Sequence, residues 1–214
     1  MRLYNFDPSP NPLKVRMALQ ELGLEYENTE IKLFERQQQG PSFLKINPLG
    51  KVPVLEDGNM LLRESNAILA YLGKEYGGEL WPSNPIFEAS ALEWLFFEAT
   101  QMAACYGAVW FNDFVMPKLG LEPKSKSEIQ GKIDRVEWTL DHLNNHLENN
   151  QFMMGDKFSL VDCSLGVVIA MLNENILVDS GEWKFVKAYL GRIVSRDSWK
   201  NARGSAIWKG ETHL

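Results

Sequence analysis

Cysteine and histidine are scarce in this chain. Its 214 residues include two cysteines, Cys105 and Cys163, and three histidines, His142, His146 and His213. No CxxC pair and no Cys/His cluster occurs, so neither a zinc site nor a dithiol redox centre is expected, and no metal is assigned. A Ser-His-Asp arrangement is not credible with these histidines. His142 and His146 stand four apart amid Asn and Glu, which reads as a solvated helix face rather than a metal site. Long hydrophobic runs are missing too. The longest, Leu165 to Leu172, has eight residues counting Gly166, against roughly 20 for a membrane span. No membrane partner is expected. Met1 to Asp7 shows no apolar signal-peptide core, and together with the few cysteines this predicts a cytoplasmic protein. Lysine and arginine number 22 against 28 acidic residues, a net charge of −6. No dense basic face appears, so a nucleic-acid partner is not expected. Internal repeats are absent, and Gln37-Gln38-Gln39 is the one low-complexity stretch.

Core-forming residues are plentiful: 45% are hydrophobic, with seven Trp and eleven Phe. At about 150 residues per domain, the length suits one large domain or two small ones. The chain divides by period. Arg2 to Phe6 alternates as a strand. Asn11-Pro12 reads as a helix start, with Asn11 as N-cap and Pro12 at the first helical position. Val15, Ala18, Leu19 and Leu22 follow at helical spacing, and Gly23 ends the helix. Tyr26 to Leu33 is a weaker strand, and Ser42 to Ile46 a helical turn. Val52 to Leu55 and Asn59 to Leu62 flank Glu56-Asp57-Gly58 as a hairpin, and a helix follows Ser65 up to Gly77-Gly78. A helix joins the first two strands, making them parallel, and the hairpin adds antiparallel strands. A mixed four-stranded sheet is predicted.

Two prolines in Leu80 to Pro85 mark a boundary, so the expected domains are 1–79, α/β, and 86–214, all-helical. In the second, Phe87, Ala91, Trp94, Leu95, Met102, Cys105 and Val109 share one face. Ile129 to Leu147 carries a regular apolar stripe, opened by Ser127 and Gln130 as a capping box. Ser159 to Asp162 is a second such box, before an apolar helix over 160–173. Trp183 to Arg196 and Asp197 to Ala202 complete the helices.

Several residues carry chemistry in more than one way. Pro53 lies inside a strand pattern, which suits a sheet edge, a bend or a cis Val52-Pro53 bond. Glu64-Ser65 opens a helix, either as a cap beside a solvated acid or as an anion site using free N–H groups and the helix dipole. In the second case Glu64 takes an ammonium, and a ligand with an α-amino acid end satisfies both. Ser9 stands before the first helix, a loop serine or a hydroxyl donor to an anion such as a thiolate.

Together these pieces resemble the cytosolic glutathione transferases over nearly the whole chain. Leu49-Gly50-Lys51-Val52-Pro53-Val54-Leu55 resembles the family's cis-proline loop, and Arg63-Glu64-Ser65-Asn66-Ala67-Ile68 its glutathione-binding turn. Ser9-Pro10-Asn11-Pro12-Leu13-Lys14-Val15-Arg16 is similar to the active-site segment of serine-type members, among them the tau class. Ser159 to Asp162 resembles the family's N-capping box. The resemblance implies a thioredoxin-like domain followed by a helical domain. It implies that Ser9 stabilises the glutathione thiolate, that the Val52 backbone pairs with the cysteinyl amide beside cis Pro53, and that Glu64 and Ser65 hold the γ-glutamyl end. Lys51 and Gln39 lie where relatives hold the glycyl carboxylate. Asn11 is a second candidate donor to the thiolate. Tyr106, Trp110 and Phe114, four apart, are interhelical core or the wall of an apolar substrate pocket. Ser9 departs from the cysteine of the omega and beta types, and the Ser-Ser-Cys pattern of the zeta isomerases is absent.

The activity implied is detoxifying conjugation of glutathione, as co-substrate, to small apolar electrophiles by a homodimer. The alternatives are a glutathione-dependent peroxidase or an interaction protein that keeps the fold without the chemistry.

Overall fold

The computed structural model describes residues 1–175 and 183–203. They pack as two compact units, one formed by Met1–Gly78 with the chain from Ser195, the other by Glu79–Val194. His213 and the expected helical tail beyond Arg203 lie outside the described residues.

The first unit holds β1 (Arg2–Asn5), α1 (Pro10–Glu21), β2 (Glu27–Glu30), α2 (Pro41–Ile46), β3 (Val54–Asp57), β4 (Met60–Arg63) and α3 (Ser65–Tyr76). Its sheet runs β2-β1-β3-β4. β1 is parallel to β2 and antiparallel to β3, and β3 is antiparallel to β4. This is the mixed four-stranded sheet the pattern predicts. β2 is shorter than expected, because Leu33–Glu35 and Gln37–Gln39 form two 3-10 turns joined at Arg36, whose φ is 59°. The hairpin turn also shifts. Glu56 and Asp57 pair with Leu61 and Met60 inside the ladder, leaving Gly58-Asn59 at the tip.

Helix α1 is buried from Pro12 to Leu19, Lys14 and Arg16 included, because it packs against both α3 and α10 (Asp197–Arg203). Its N-cap is Ser9, not Asn11, and Pro10 rather than Pro12 takes the first position. Both prolines fit a first turn sterically, so spacing alone did not separate them.

The second unit holds α4 (Pro85–Phe97), α5 (Ala103–Trp110), α6 (Met116–Lys118), α7 (Lys126–Leu147), α8 (Leu160–Asn175) and α9 (Lys184–Ser195). The first expected helix is interrupted by π turns at Glu98–Met102 and Phe111–Val115. Each π turn carries one buried polar side chain. Glu98 accepts from Ser164 Oγ at 3.4 Å. Asn112 accepts from the Lys124 N–H at 2.7 Å and donates to the Lys124 carbonyl at 3.1 Å, fixing the loop before α7. The expected apolar face holds at Ala91, Leu95, Met102, Cys105 and Val109, which are buried, but Phe87 is 60% exposed.

The capping box of α7 forms at Ser125 and Glu128, not at Ser127 and Gln130. The Ser125 N–H and Oγ both donate to Glu128 Oε2, at 2.9 and 2.7 Å. The box at Ser159 and Asp162 forms as expected: Asp162 Oδ2 accepts from the Ser159 N–H at 2.8 Å and from Ser159 Oγ at 3.0 Å. The histidine face of α7 is only partly solvated. His142 is exposed yet stacks on Trp138, and the half-buried His146 packs on Trp94 with ring centroids 4.6 Å apart and bonds the Met153 carbonyl. Burial holds the His146 imidazole below its ordinary pKa. Among the described residues no group of three or more His, Cys, Asp or Glu side chains is placed to hold a metal. Among them, also, no helix is long and apolar enough to cross a membrane.

Candidate active site

The site elements all belong to the first unit. Ser9 ends the turn that follows β1. Its N–H donates to the Phe6 carbonyl at 2.9 Å, and its own carbonyl accepts from Leu13 N at 3.3 Å. The hydroxyl makes no capping bond to α1. Helix N-termini ordinarily present several unbonded N–H groups. Here Pro10 and Pro12 have none, so Asn11 carries the sole backbone N–H among the first three helical residues. An anion beside Ser9 therefore meets one hydroxyl and one amide, not a full ring of donors.

A polar cluster, buried at Asn5 and Arg16 and reaching the surface at Asp7 and Glu30, sets this turn. The guanidinium of Arg16 donates to Asn5 Oδ1 at 2.6 Å, to Asp7 Oδ1 at 2.9 Å and to the Asp7 carbonyl at 3.1 Å. Asn5 Nδ2 donates in turn to Asp7 Oδ1 and to Glu30 Oε2, and the Asp7 N–H donates to Glu30 Oε1 at 3.2 Å. Burial pulls Arg16 below its ordinary pKa, opposed mainly by the charge of Asp7. Burial pushes the Glu30 carboxyl up, while the Asp7 N–H limits the rise.

The second piece is the loop between α2 and β3. Its Val52-Pro53 bond is cis, the third of the conformations open to Pro53. Val52 packs on a small core of Tyr4, Ile31, Phe43 and Val54. Asn47, 2% exposed, ties the loop from inside: its Nδ2 donates to the Lys51 carbonyl at 2.6 Å and its Oδ1 accepts from Leu49 N at 3.1 Å. Arg63 anchors the other side, with Nε donating to the Ile46 carbonyl at 3.1 Å. Gly50 has φ +60°, and a Cβ there would stand 2.8 Å from Gln39 Nε2 and 3.0 Å from the Gln38 carbonyl oxygen. The glycine thus lets the glutamine turn close over the loop; Gln39 and Lys51 are both exposed.

The third piece is the start of α3. Glu64 is its N-cap with φ 67° and ψ 115°, a region that non-glycine residues seldom enter and that concentrates at ligand sites. Glu64 is exposed and Ser65 is buried. Ser65 Oγ lies 3.5 Å from Asn11 Oδ1. Asn11, the second residue of α1, is therefore beside the Glu64-Ser65 turn as well as two residues from Ser9.

Tyr106, Trp110 and Phe114 belong to the second unit. Tyr106 is 3% exposed. Trp110 and Phe114, partly exposed, stack at 5.3 Å and 25° across the second π turn.

Family models match both parts of the chain. The glutathione S-transferase N-terminal domain matches residues 1–74 and the glutathione S-transferase C-terminal domain residues 102–197. Glutathione S-transferase 3 of Zea mays is 31% identical over 175 residues, covering 80% of this chain and 78% of that protein. The chain belongs to the glutathione S-transferase family. Its fold is the one that family shares: a glutathione transferase from Pseudomonas putida, solved with one glutathione disulfide bound per subunit, superposes with a TM-score of 0.83 at 26% identity, covering 96% of this chain and 91% of that one. Elongation factor 1-gamma 1 of Oryza sativa subsp. japonica is also similar, at 28% identity, and the chain spans 48% of its length.

Three residues that shape this candidate site were not singled out from sequence. Asn47 had a local signal, since Asn before Pro in a loop favours side-chain-to-backbone turns. Arg63 and Arg16 had none: their partners, Ile46 and Asn5 to Asp7, are set by tertiary packing.

Proposed function

We propose that the chain is a glutathione transferase that conjugates the glutathione thiolate to small, largely apolar electrophiles, with a detoxifying role. One observation carries the reading. Ser9 occupies a helix N-terminus with its hydroxyl unused by the helix, in the same unit as the cis-proline loop and the Glu64-Ser65 turn. In this reading Glu64 and Ser65 take the γ-glutamyl end, the Val52 backbone beside Pro53 takes the cysteinyl amide, and Lys51 and Gln39 take the glycyl carboxylate. A free thiol of pKa about 8.5 is only a few per cent thiolate at neutral pH. The Ser9 hydroxyl, helped by the Asn11 N–H, stabilises the anion and lowers that pKa. Tyr106, buried, and Trp110 and Phe114, partly exposed, are the residues assigned to the electrophile. No metal enters the chemistry proposed.

The protein is proposed to act as a cytoplasmic homodimer. The two cysteines are buried and form no disulfide with each other, which suits a reducing compartment, and Phe96, 66% exposed on α4, suits a self-association face. Light scattering at micromolar concentration should give the mass of a dimer.

The similarity to elongation factor 1-gamma favours a second reading, an interaction module without catalysis. Glutathione-agarose retention followed by a panel of aryl and alkyl electrophiles and a hydroperoxide separates them. Retention with conjugation supports the transferase, and retention with hydroperoxide turnover alone supports the peroxidase. Absence of both retention and turnover supports the module.

A further inference from the structure

Arg16 joins the Ser9 turn to the last described helix. Its Nη atoms hold Asn5 and Asp7, as described above, while its Nε donates to the Ala202 carbonyl of α10 at 2.9 Å across 186 residues of sequence. The guanidinium is almost fully buried, as are Trp199 and Ala202 of α10. A second joint lies at the far end of α1. Glu21 accepts from Arg196 Nε at 2.5 Å and from Arg196 Nη2 at 2.7 Å, and Ser198 Oγ bonds the same carboxylate. Ser195–Arg203 therefore grips α1 at its C-terminal end through Glu21 and at its middle through Arg16.

We propose that Arg16 is a positioning residue, through which the C-terminal clasp Ser195–Arg203 holds the Phe6-to-Ser9 turn in the geometry that presents the Ser9 hydroxyl. The planar fork is what the role needs. The two Nη groups satisfy two side chains and a backbone carbonyl of the turn, and the Nε–H satisfies the clasp. A lysine keeps the charge but cannot span both sets of acceptors. The turn's other ties are the Ser9 N–H bond to the Phe6 carbonyl, the Asp7 N–H bond to Glu30 and the Asn5 amide on Asp7; none of them reaches the clasp, and Ser9 makes no capping bond. Loss of the joint frees the turn without touching the γ-glutamyl or glycyl subsites, which rest on Glu64-Ser65 and on the Asn47 loop. The catalytic half of this inference rests on the function proposed above, and the positional half does not.

The test uses the full chain with Arg16→Lys and Trp199→Ala, the second loosening α10 without altering Arg16. Hydrogen exchange in the absence of glutathione reads the positional half. The Ser9 amide should exchange on the order of tenfold faster in Arg16→Lys and be measurably faster in Trp199→Ala, as expected for loss of a charge-assisted hydrogen bond, while the Gly50 amide stays at its parental rate. Ultraviolet titration of bound glutathione reads the catalytic half. The thiol pKa should rise and turnover fall in both variants, with the KM for glutathione changed less than about twofold. Parental Ser9 exchange in both folded variants overturns the proposal. So does faster exchange with a parental thiol pKa. If Arg16→Lys does not fold, Trp199→Ala decides on the same readouts. If the parent protein binds no glutathione, the proposed function fails, and the exchange rates still decide whether the clasp holds the turn.

Discussion

Helices α1 and α8 both follow a serine, and they treat it in opposite ways. At α8 the hydroxyl of Ser159 is buried and bound to Asp162, whose carboxylate also accepts from Met153 N at 2.9 Å and from Tyr189 Oη at 3.0 Å. Every donor around that carboxylate is spoken for. At α1 the Ser9 hydroxyl caps nothing, two of the first three N–H groups are deleted by proline, and the turn is held from beside by Arg16. A helix start whose polar groups are saturated by its own side chains is a structural joint. One whose hydroxyl is kept out of the capping arrangement, while its backbone is fixed by other residues, is preorganised for an external anion.

The comparison breaks most visibly at Asp162. Asp162→Ala leaves the Met153 and Ser159 N–H groups and the Tyr189 hydroxyl buried without their acceptor, each costing about 1–3 kcal/mol. Chemical denaturation should show a loss of roughly 3 kcal/mol or more, with glutathione binding intact in whatever fraction remains folded. Burial also pushes the Asp162 carboxyl from 3.8 up to about 6. A raised carboxyl binds its proton more tightly folded than unfolded, so its contribution is full below about pH 4 and is lost as pH rises through 6. Asp162→Asn should therefore remove a fall in stability between those values.

Ser9→Ala should do the reverse. With no capping bond to lose, the denaturation midpoint should move by no more than about 0.5 kcal/mol equivalent. Turnover should drop on the order of 10²–10³-fold, the scale for removing one oxyanion-type donor, and the thiol of bound glutathione should titrate at higher pH. Asn11→Ala is the control that sharpens this. The alanine keeps the backbone N–H, so only a side-chain role is removed. A parental thiol pKa in Ser9→Ala with a raised one in Asn11→Ala would move the donor assignment to Asn11.

A smaller effect is expected at Glu64-Ser65, the turn proposed to hold the γ-glutamyl end. Glu64→Ala and Ser65→Ala each delete a charge-assisted hydrogen bond worth about 1.5–3 kcal/mol, so calorimetry should show weaker glutathione binding with the Ser9-dependent thiol pKa preserved in whatever binds. Parental affinity in both would place the ligand elsewhere.

How much of this was legible in sequence follows from range. The existence of the strands, the hairpin apart from its exact tip, and the Glu64-Ser65 helix start depend on neighbours within a few residues, and the pattern carries them; the order β2-β1-β3-β4 does not, because β1 meets β3 through pairs such as Arg2 with Glu56. The capping box of α7 was misplaced because Ser125-x-x-Glu128 and Ser127-x-x-Gln130 overlap, and the carboxylate accepts where the amide was expected to. The choice between Ser9 and Asn11 as N-cap failed because two prolines each satisfied the same rule. The π turns at Glu98 and Phe111 left no local mark. They are visible only as polar residues on a stripe that is otherwise apolar, Glu98 and Asn112. Arg16 reads as an ordinary helical arginine until the Ala202 carbonyl and the Asp7 turn are brought to it by folding.

Glu21 offers the finest test, because its pH dependence has the opposite sign to that of Asp162. Burial raises the Glu21 carboxyl, but the hydrogen bonds from Arg196 and Ser198 and the Arg196 charge outweigh it, and the net value lies below the ordinary one. A lowered carboxyl releases its proton more readily folded than unfolded. Its contribution is present above about pH 4.5 and is lost as pH falls through the folded value. Glu21→Gln should cost roughly 1 kcal/mol at neutral pH, the upper range for a partly exposed ion pair, and that difference from the parent should shrink as pH falls below about 4.5. The second joint of the clasp would then be weakened while Arg16 keeps its contacts. Turnover in Glu21→Gln should stay within about twofold of the parent, since the Phe6-to-Ser9 turn is held through Arg16 and not through Glu21. A difference in stability that persists unchanged into acid would mean that packing around Glu21, rather than its charge, holds α1 to the C-terminal segment.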